Sequence, residues 1–201
     1  MIRLYGMSSS GNCYKLQLAC AQLGIEHEWE EIDVTRGENL SPEFLALNDR
    51  GKVPVLRLDD GRTMSESNAI LNYLAQGSAL LADSPWERAK VLQWMFFEQY
   101  SHEPCIAVSR FIRKYLSLDH PRRASLDMLK ASGEEALAAM ERHLARLPWF
   151  GGERYSIADI ALYAYTHVAD EGGFDLAAFP QVECWLKRVA RTPDFVPMRN
   201  D

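Results

Sequence analysis

The alternation of apolar and polar positions follows two different rules along this chain, one before residue 78 and another after it. Ile2 and Leu4 alternate with other positions up to Gly6, the period of a short strand. Leu16, Ala19, Cys20 and Leu23 recur at i, i+3, i+4 and i+7, an apolar helix stripe that Gly24 closes. Side chains from His27 to Val34 suit a second strand. Ser41-Pro42 is a cap followed by a first-turn proline, predicting a short helix through Leu47. Val53 to Leu58 predicts a strand entered through Pro54. Asp59-Asp60-Gly61-Arg62 is a hairpin turn, so the strand at Thr63-Met64 returns antiparallel. Ser65-Glu66-Ser67 starts a helix with Ile70, Leu71 and Leu74 facing inward, stopped by Gly77. The order β-α-β-α-β-β-α implies a mixed sheet with helices on its faces.

Beyond residue 78 the strand patterns cease. Asp83-Ser84-Pro85 caps a long helical pattern carrying Leu92, Trp94, Met95 and Phe96, which Pro104 kinks rather than ends, because Ile106, Phe111 and Tyr115 continue an apolar face. Pro121 opens a helix running through Leu137, Met140, Leu144 and Leu147. Ser156-Ile157-Ala158-Asp159 is a capping-box variant, and Phe179-Pro180 starts a last helix containing Val182, Trp185, Leu186 and Val189. The expected division is therefore an α/β domain over 1–77, a linker over 78–85 and an all-helical domain over 86–201.

Composition narrows the function classes. The 201 residues are 47% hydrophobic and 25% charged, an ordinary globular balance. A net charge of −6 argues against a nucleic-acid binder, which needs a basic face. No run approaches the roughly 20 apolar residues of a membrane helix, and Met1 to Gly6 does not read as a signal peptide, so a cytoplasmic protein is expected. Cys13, Cys20, Cys105 and Cys184 form no C-x-x-C pair and read as reduced thiols in or near a core. The five histidines lack paired spacing, so no metal is expected.

Four landmarks in order carry a resemblance. They are Leu4-Tyr5-Gly6 with a serine-rich loop, Gly51-Lys52-Val53-Pro54-Val55-Leu56, Glu66-Ser67-Asn68-Ala69-Ile70, and Tyr155 to Ala161. Together they resemble the cytosolic glutathione transferases over essentially the whole chain. The resemblance points to a bacterial type that activates the thiol by serine or asparagine. It implies a thioredoxin-like domain followed by an all-α domain, with glutathione as co-substrate, no metal, a homodimer, and conjugation of small apolar electrophiles, as in detoxification.

It also implies roles for individual residues. Val53-Pro54 resembles the family's cis-proline step, which would leave the Val53 backbone free to pair with the cysteinyl backbone of glutathione. Glu66 and Ser67, at a helix start, suit the ammonium and carboxylate of its γ-glutamyl end. Lys52 offers a cation to the glycine carboxylate, and Asn39 falls where relatives place a polar or basic side chain near it. The thiol needs a donor. One hydrogen bond to a charged group contributes about 1.5–3 kcal/mol, enough to lower a thiol pKa by roughly one to two units. Ser10 stands in the serine-type position counted back from Lys15, and Asn12 where some bacterial members keep an asparagine, so either or both can serve. Met7, Ile106, Arg110 and Phe111 are expected to line an electrophile pocket. Glutathione-dependent peroxide or disulfide reduction, isomerisation, and a non-catalytic regulatory or scaffold role on the same fold remain alternatives. Ser156 and Asp159 are expected to be structural.

Overall fold

The computed structural model describes residues 1–199, which form two units. The first contains β1 (Ile2–Gly6), α1 (Gly11–Leu23), β2 (His27–Glu31), α2 (Pro42–Leu45), β3 (Val55–Arg57), β4 (Thr63–Ser65) and α3 (Ser67–Leu74). Sheet order is β2-β1-β3-β4. β1 runs parallel to β2, with Ile2 opposite His27 and Gly6 opposite Glu31. The other two pairings are antiparallel, Tyr5 facing Val55 and Val55 facing Ser65. Leu4, Leu16, Leu56, Ile70 and Leu71 are completely buried, which fixes the register because a one-residue slip would turn each strand's apolar set outward. Tyr5, Ile32, Phe44 and Val55 pack as a smaller cluster with Leu47 and Val53 against it.

β2 is shorter than the pattern from His27 to Val34 predicts. Asp33 accepts from the N–H groups of Thr35 (2.9 Å) and Arg36 (3.2 Å), and this local turn competes with the ladder. A short 3₁₀ turn, Val34–Arg36, follows. Nor does the helical half keep all of 86–201. Residues from Pro193 pack with the first unit, where the Tyr14 hydroxyl donates to the carbonyl of Val196 at 2.7 Å.

The second unit, Ala79–Thr192, is helical: α4 (Pro85–Phe97), α5 (Glu103–Tyr115), α6 (Leu126–Leu144), α7 (Ile157–Thr166) and α8 (Pro180–Val189). Ser84 stands at the start of α4 but makes no side-chain cap bond, so its capping role is positional only. The expected kink is a π-helical turn, Glu98–His102, in which the Glu103 N–H donates to the carbonyl of Glu98 five residues back. Pro104 explains it, having no N–H for the Tyr100 carbonyl and a ring that crowds it. His102, fully buried in this turn, lies 2.9 Å from Thr166 Oγ1. That hydroxyl already donates to Leu162 O at 2.7 Å, so His102 Nε2 is the donor. The segment from Pro121 begins as a 3₁₀ turn, Pro121–Ser125, before α6 proper. Ile112, Leu137, Met140, Ile160 and Trp185 are completely buried.

Three of the four cysteines are buried; Cys184, on α8, is exposed, because it lies off the Val182–Trp185–Val189 face. All four are free thiols. Among the described residues no helix is long and apolar enough to cross a membrane, and no group of three or more His, Cys, Asp or Glu could hold a metal ion.

Candidate functional site

The first unit brings two helix starts together. Ser10 occupies the N-cap position of α1, with extended backbone (φ −84°, ψ 125°), yet its side chain makes no cap hydrogen bond. Its hydroxyl is turned instead toward Cys13, whose Sγ also receives the Met7 N–H at 3.4 Å. Burial pushes the Cys13 thiol up to about 12, against the downward pull of those two donors. Cys13 therefore stays protonated at neutral pH and supplies no nucleophile.

α3 starts without a side-chain cap as well. Glu66, at its N-cap, has φ 70° and ψ 106°, a region that non-glycine residues rarely adopt and that costs about 1–3 kcal/mol. Its carboxylate pairs with Arg50. An arriving ammonium would share Glu66 with that guanidinium. Ser67 is buried, and its hydroxyl donates to Asn12 Oδ1 at 3.1 Å, tying the two helix starts together. Lys15, completely buried, donates from Nζ to Ser67 Oγ and to Asn68 Oδ1, both at 3.2 Å. With Asn12 Oδ1 held by Ser67, amide planarity presents its NH₂ group in the other direction, as a donor.

The chain entering β3 forms a third wall. The Val53-Pro54 peptide bond is cis. Regular pairing begins at Val55, and among the described residues neither the N–H nor the carbonyl of Val53 has a partner. Asn39 and Asn48 brace this segment from behind, donating to the carbonyls of Gly51 and Lys52, both at 2.8 Å. One Asn39 hydrogen is thus committed to the loop, giving Asn39 a bracing role the sequence does not suggest. The Lys52 side chain is exposed.

The four expected electrophile contacts divide. Met7 is half-buried in the loop after β1, and Phe111 is exposed on α5, 5.4 Å from the Tyr115 ring. Ile106 belongs to the core of the helical unit. Arg110 is buried there with Nε 2.9 Å from the Glu171 carboxylate. Neither of these two offers surface to a ligand, because α5 turns them to its inner face. Sequence reasoning assigned no role at the site to Glu31, Arg50 or Lys15. For Glu31 the sequence carries no signal of such a role, because its place opposite Gly6, where the serine loop begins, is set by the strand register.

Comparison with known proteins agrees with this fold. Residues 9–76 match the model of the glutathione S-transferase N-terminal domain, and residues 123–188 that of the C-terminal domain. A glutathione S-transferase structure from Pseudomonas fluorescens superposes with a TM-score of 0.96 at 53% identity, covering 99% of each chain. The Disulfide-bond oxidoreductase YfcG of Escherichia coli K12 is 29% identical over 96% of this chain and 92% of its own. A Pseudomonas putida glutathione transferase with one glutathione disulfide bound per subunit has a TM-score of 0.86 at 26% identity, covering 96% of this chain and 88% of its own. The chain belongs to the glutathione S-transferase family.

Proposed function

We propose that the protein binds glutathione in the first unit and activates its thiol for transfer to small apolar electrophiles. The observation that carries this reading is the Ser67–Asn12 hydrogen bond. It joins a helix start suited to a carboxylate to the loop holding two hydroxyl or amide donors, and the unpaired Val53 backbone supplies the strand edge for the peptide between them. In this reading the γ-glutamyl carboxylate lies at Ser67 and the start of α3, its ammonium at Glu66, and the cysteinyl backbone on Val53. The glycine carboxylate lies near Lys52, with Pro54 and Asn39 shaping and bracing that wall. Ser10, its hydroxyl rotating away from Cys13, donates with Asn12 to the sulfur. The thiol proton leaves to solvent, the thiolate attacks the electrophilic carbon, and the new S–C bond forms as the leaving group departs with its electron pair. Met7, half-buried in the loop after β1, contacts the electrophile. A cytoplasmic homodimer is part of the reading, supported by the exposed Trp86, Phe96 and Tyr100 side chains between Pro85 and His102.

A second reading, glutathione-dependent disulfide reduction, is favoured by the inertness of Cys13. With the protein thiol protonated and buried, glutathione's own sulfur would attack the substrate disulfide, expelling one thiolate. A second glutathione would then resolve the mixed disulfide, releasing the other substrate thiol and glutathione disulfide. The named activity of the Escherichia coli relative lends it weight.

Calorimetric titration, followed by the ultraviolet thiolate band of bound glutathione against pH, tests the common step. Wild type should lower the thiol pKa by one unit or more below its solution value near 8.5. Ser10→Ala should return it most of the way. No binding at millimolar glutathione would sink both enzyme readings; binding with an unshifted thiol would leave a sensor or scaffold. An unchanged pKa in Ser10→Ala would transfer the donor role to Asn12. Turnover of an aryl halide against turnover of a low-molecular-weight disulfide separates the two readings.

A further inference from the structure

The loop carrying Ser10 is fastened to the sheet by Glu31, the last residue of β2. Its carboxylate accepts three hydrogens: the Ser8 N–H at 2.7 Å, the Ser8 hydroxyl at 2.6 Å and the Trp29 indole N–H at 2.7 Å. The rest of the turn is held from other sides. Gly6 O receives the Ile32 N–H at 2.8 Å, Met7 N–H donates to Cys13 Sγ, and Ser10 N–H closes on Met7 O at 2.9 Å. Only Ser9 separates the gripped Ser8 from Ser10, so the pitch of the turn, and with it the direction of the Ser10 hydroxyl, depends on where Glu31 holds Ser8.

We propose that Glu31 is a positioning residue for thiol activation, its carboxylate gripping Ser8 so that Ser10 and Asn12 present their donors to the glutathione sulfur. The inference rests on the glutathione reading above and adds a residue to that site. A carboxylate is an adverse neighbour for a thiolate, and its charge already raises the Cys13 thiol nearby. Its presence beside such a loop is explained by the grip and not by its field. The two effects have opposite signs, which makes the role measurable.

The full chain would be compared as wild type, Glu31→Ala and Glu31→Gln. If Glu31 acts by holding the loop, Glu31→Ala raises the pKa of bound glutathione by about one unit, roughly tenfold less thiolate at a pH well below the wild-type pKa. The glutathione dissociation constant changes little, since Val53 and Ser67 are untouched, so kcat falls while KM holds. Glu31→Gln keeps one acceptor oxygen for Ser8 and should lie between. In the ligand-free protein, exchange of the Ser8 amide should accelerate in Glu31→Ala while amides of β3 and β4 keep their wild-type rates. A bound-thiol pKa that falls or stays put in Glu31→Ala overturns the proposal, as does an unaltered Ser8 amide. A wild-type protein whose bound glutathione titrates as in free solution overturns the glutathione reading itself and the role of Glu31 with it. A wild-type shift that survives intact in Glu31→Ala overturns Glu31 alone.

Discussion

The starts of α1 and α3 differ in kind from the start of α7. At α7, Ser156 and Asp159 form a complete capping box: Asp159 accepts from the Ser156 N–H (2.9 Å), the Ser156 hydroxyl (3.1 Å), the Phe150 N–H (2.9 Å) and the Trp185 indole (3.0 Å). Burial pushes its carboxyl up to about 6 even against these four donors. At α1 and α3 the N-cap residues are Ser10 and Glu66, and neither caps its helix. A helix start leaves several N–H groups without intrahelical partners, and they must be met by side chains, water or a ligand. Where the chain supplies its own partners the start is architecture. Where it leaves them open, beside a buried lysine and a strand edge without a partner, the start is free to receive an anion, the role proposed for α3 above.

Asp159→Ala strikes the closed start and should have the largest effect. Four buried donors, on Phe150, Trp185 and, twice, Ser156, lose their acceptor, and each costs about 1–3 kcal/mol when left unmet. A loss of about 3 kcal/mol or more in urea-unfolding free energy is expected, with glutathione affinity of the folded fraction unchanged. An unfolding midpoint equal to that of wild type would erase the distinction between the two kinds of helix start.

Ser67→Ala is the converse experiment at an open start. Lys15 keeps Asn68 as an acceptor, so stability should fall by only about 1 kcal/mol. On glutathione binding the Ser67 hydroxyl must turn its one hydrogen from Asn12 Oδ1 to the carboxylate, so Ser67→Ala loses a hydrogen bond to a charged group, about 1.5–3 kcal/mol or at least tenfold in dissociation constant. Calorimetry and urea unfolding on the same preparation decide it. Equal losses in both would make Ser67 a cap like Ser156.

Much of this division is legible in the sequence. The mixed sheet, the hairpin at Asp60-Gly61 and the helices of the second half follow from residue period and turn chemistry, because those patterns are local. The capping box at Ser156-Asp159 is equally local and is found where it is expected. What escapes is whatever depends on partners distant in sequence or on a change of helical pitch. The π turn at Glu98–His102 leaves no mark beyond Pro104, since apolar residues continue across it. Residues 193–199 carry no periodicity, and their attachment through Tyr14 crosses nearly the whole chain. Glu31 reads as a solvated acid on an edge strand until its register against Gly6 is known. Arg110 reads as a pocket cation until Glu171, sixty-one residues away, is placed beside it. Ser10 is legible as a residue, but its missing cap bond is not, because an N-cap serine that caps and one that does not look alike in sequence.

The smallest effect belongs to the part of the open site most exposed to water. Lys52 is anchored through its backbone carbonyl by Asn48, while its side chain stands in solvent. Exposed ion pairs contribute about 0.2–1 kcal/mol, so Lys52→Ala should weaken glutathione binding by roughly fivefold at most in dilute buffer. At about 1 M salt the screening length falls to about 3 Å, and the difference between Lys52→Ala and wild type should disappear. The Ser67→Ala deficit, held by a buried hydroxyl, should survive the same salt. Paired titrations at the two ionic strengths measure both. A Lys52→Ala loss of tenfold or more that persists in high salt would mean that the ammonium is desolvated against the glycine carboxylate, and the open site would then be closed by its ligand as tightly as α7 is closed by Asp159.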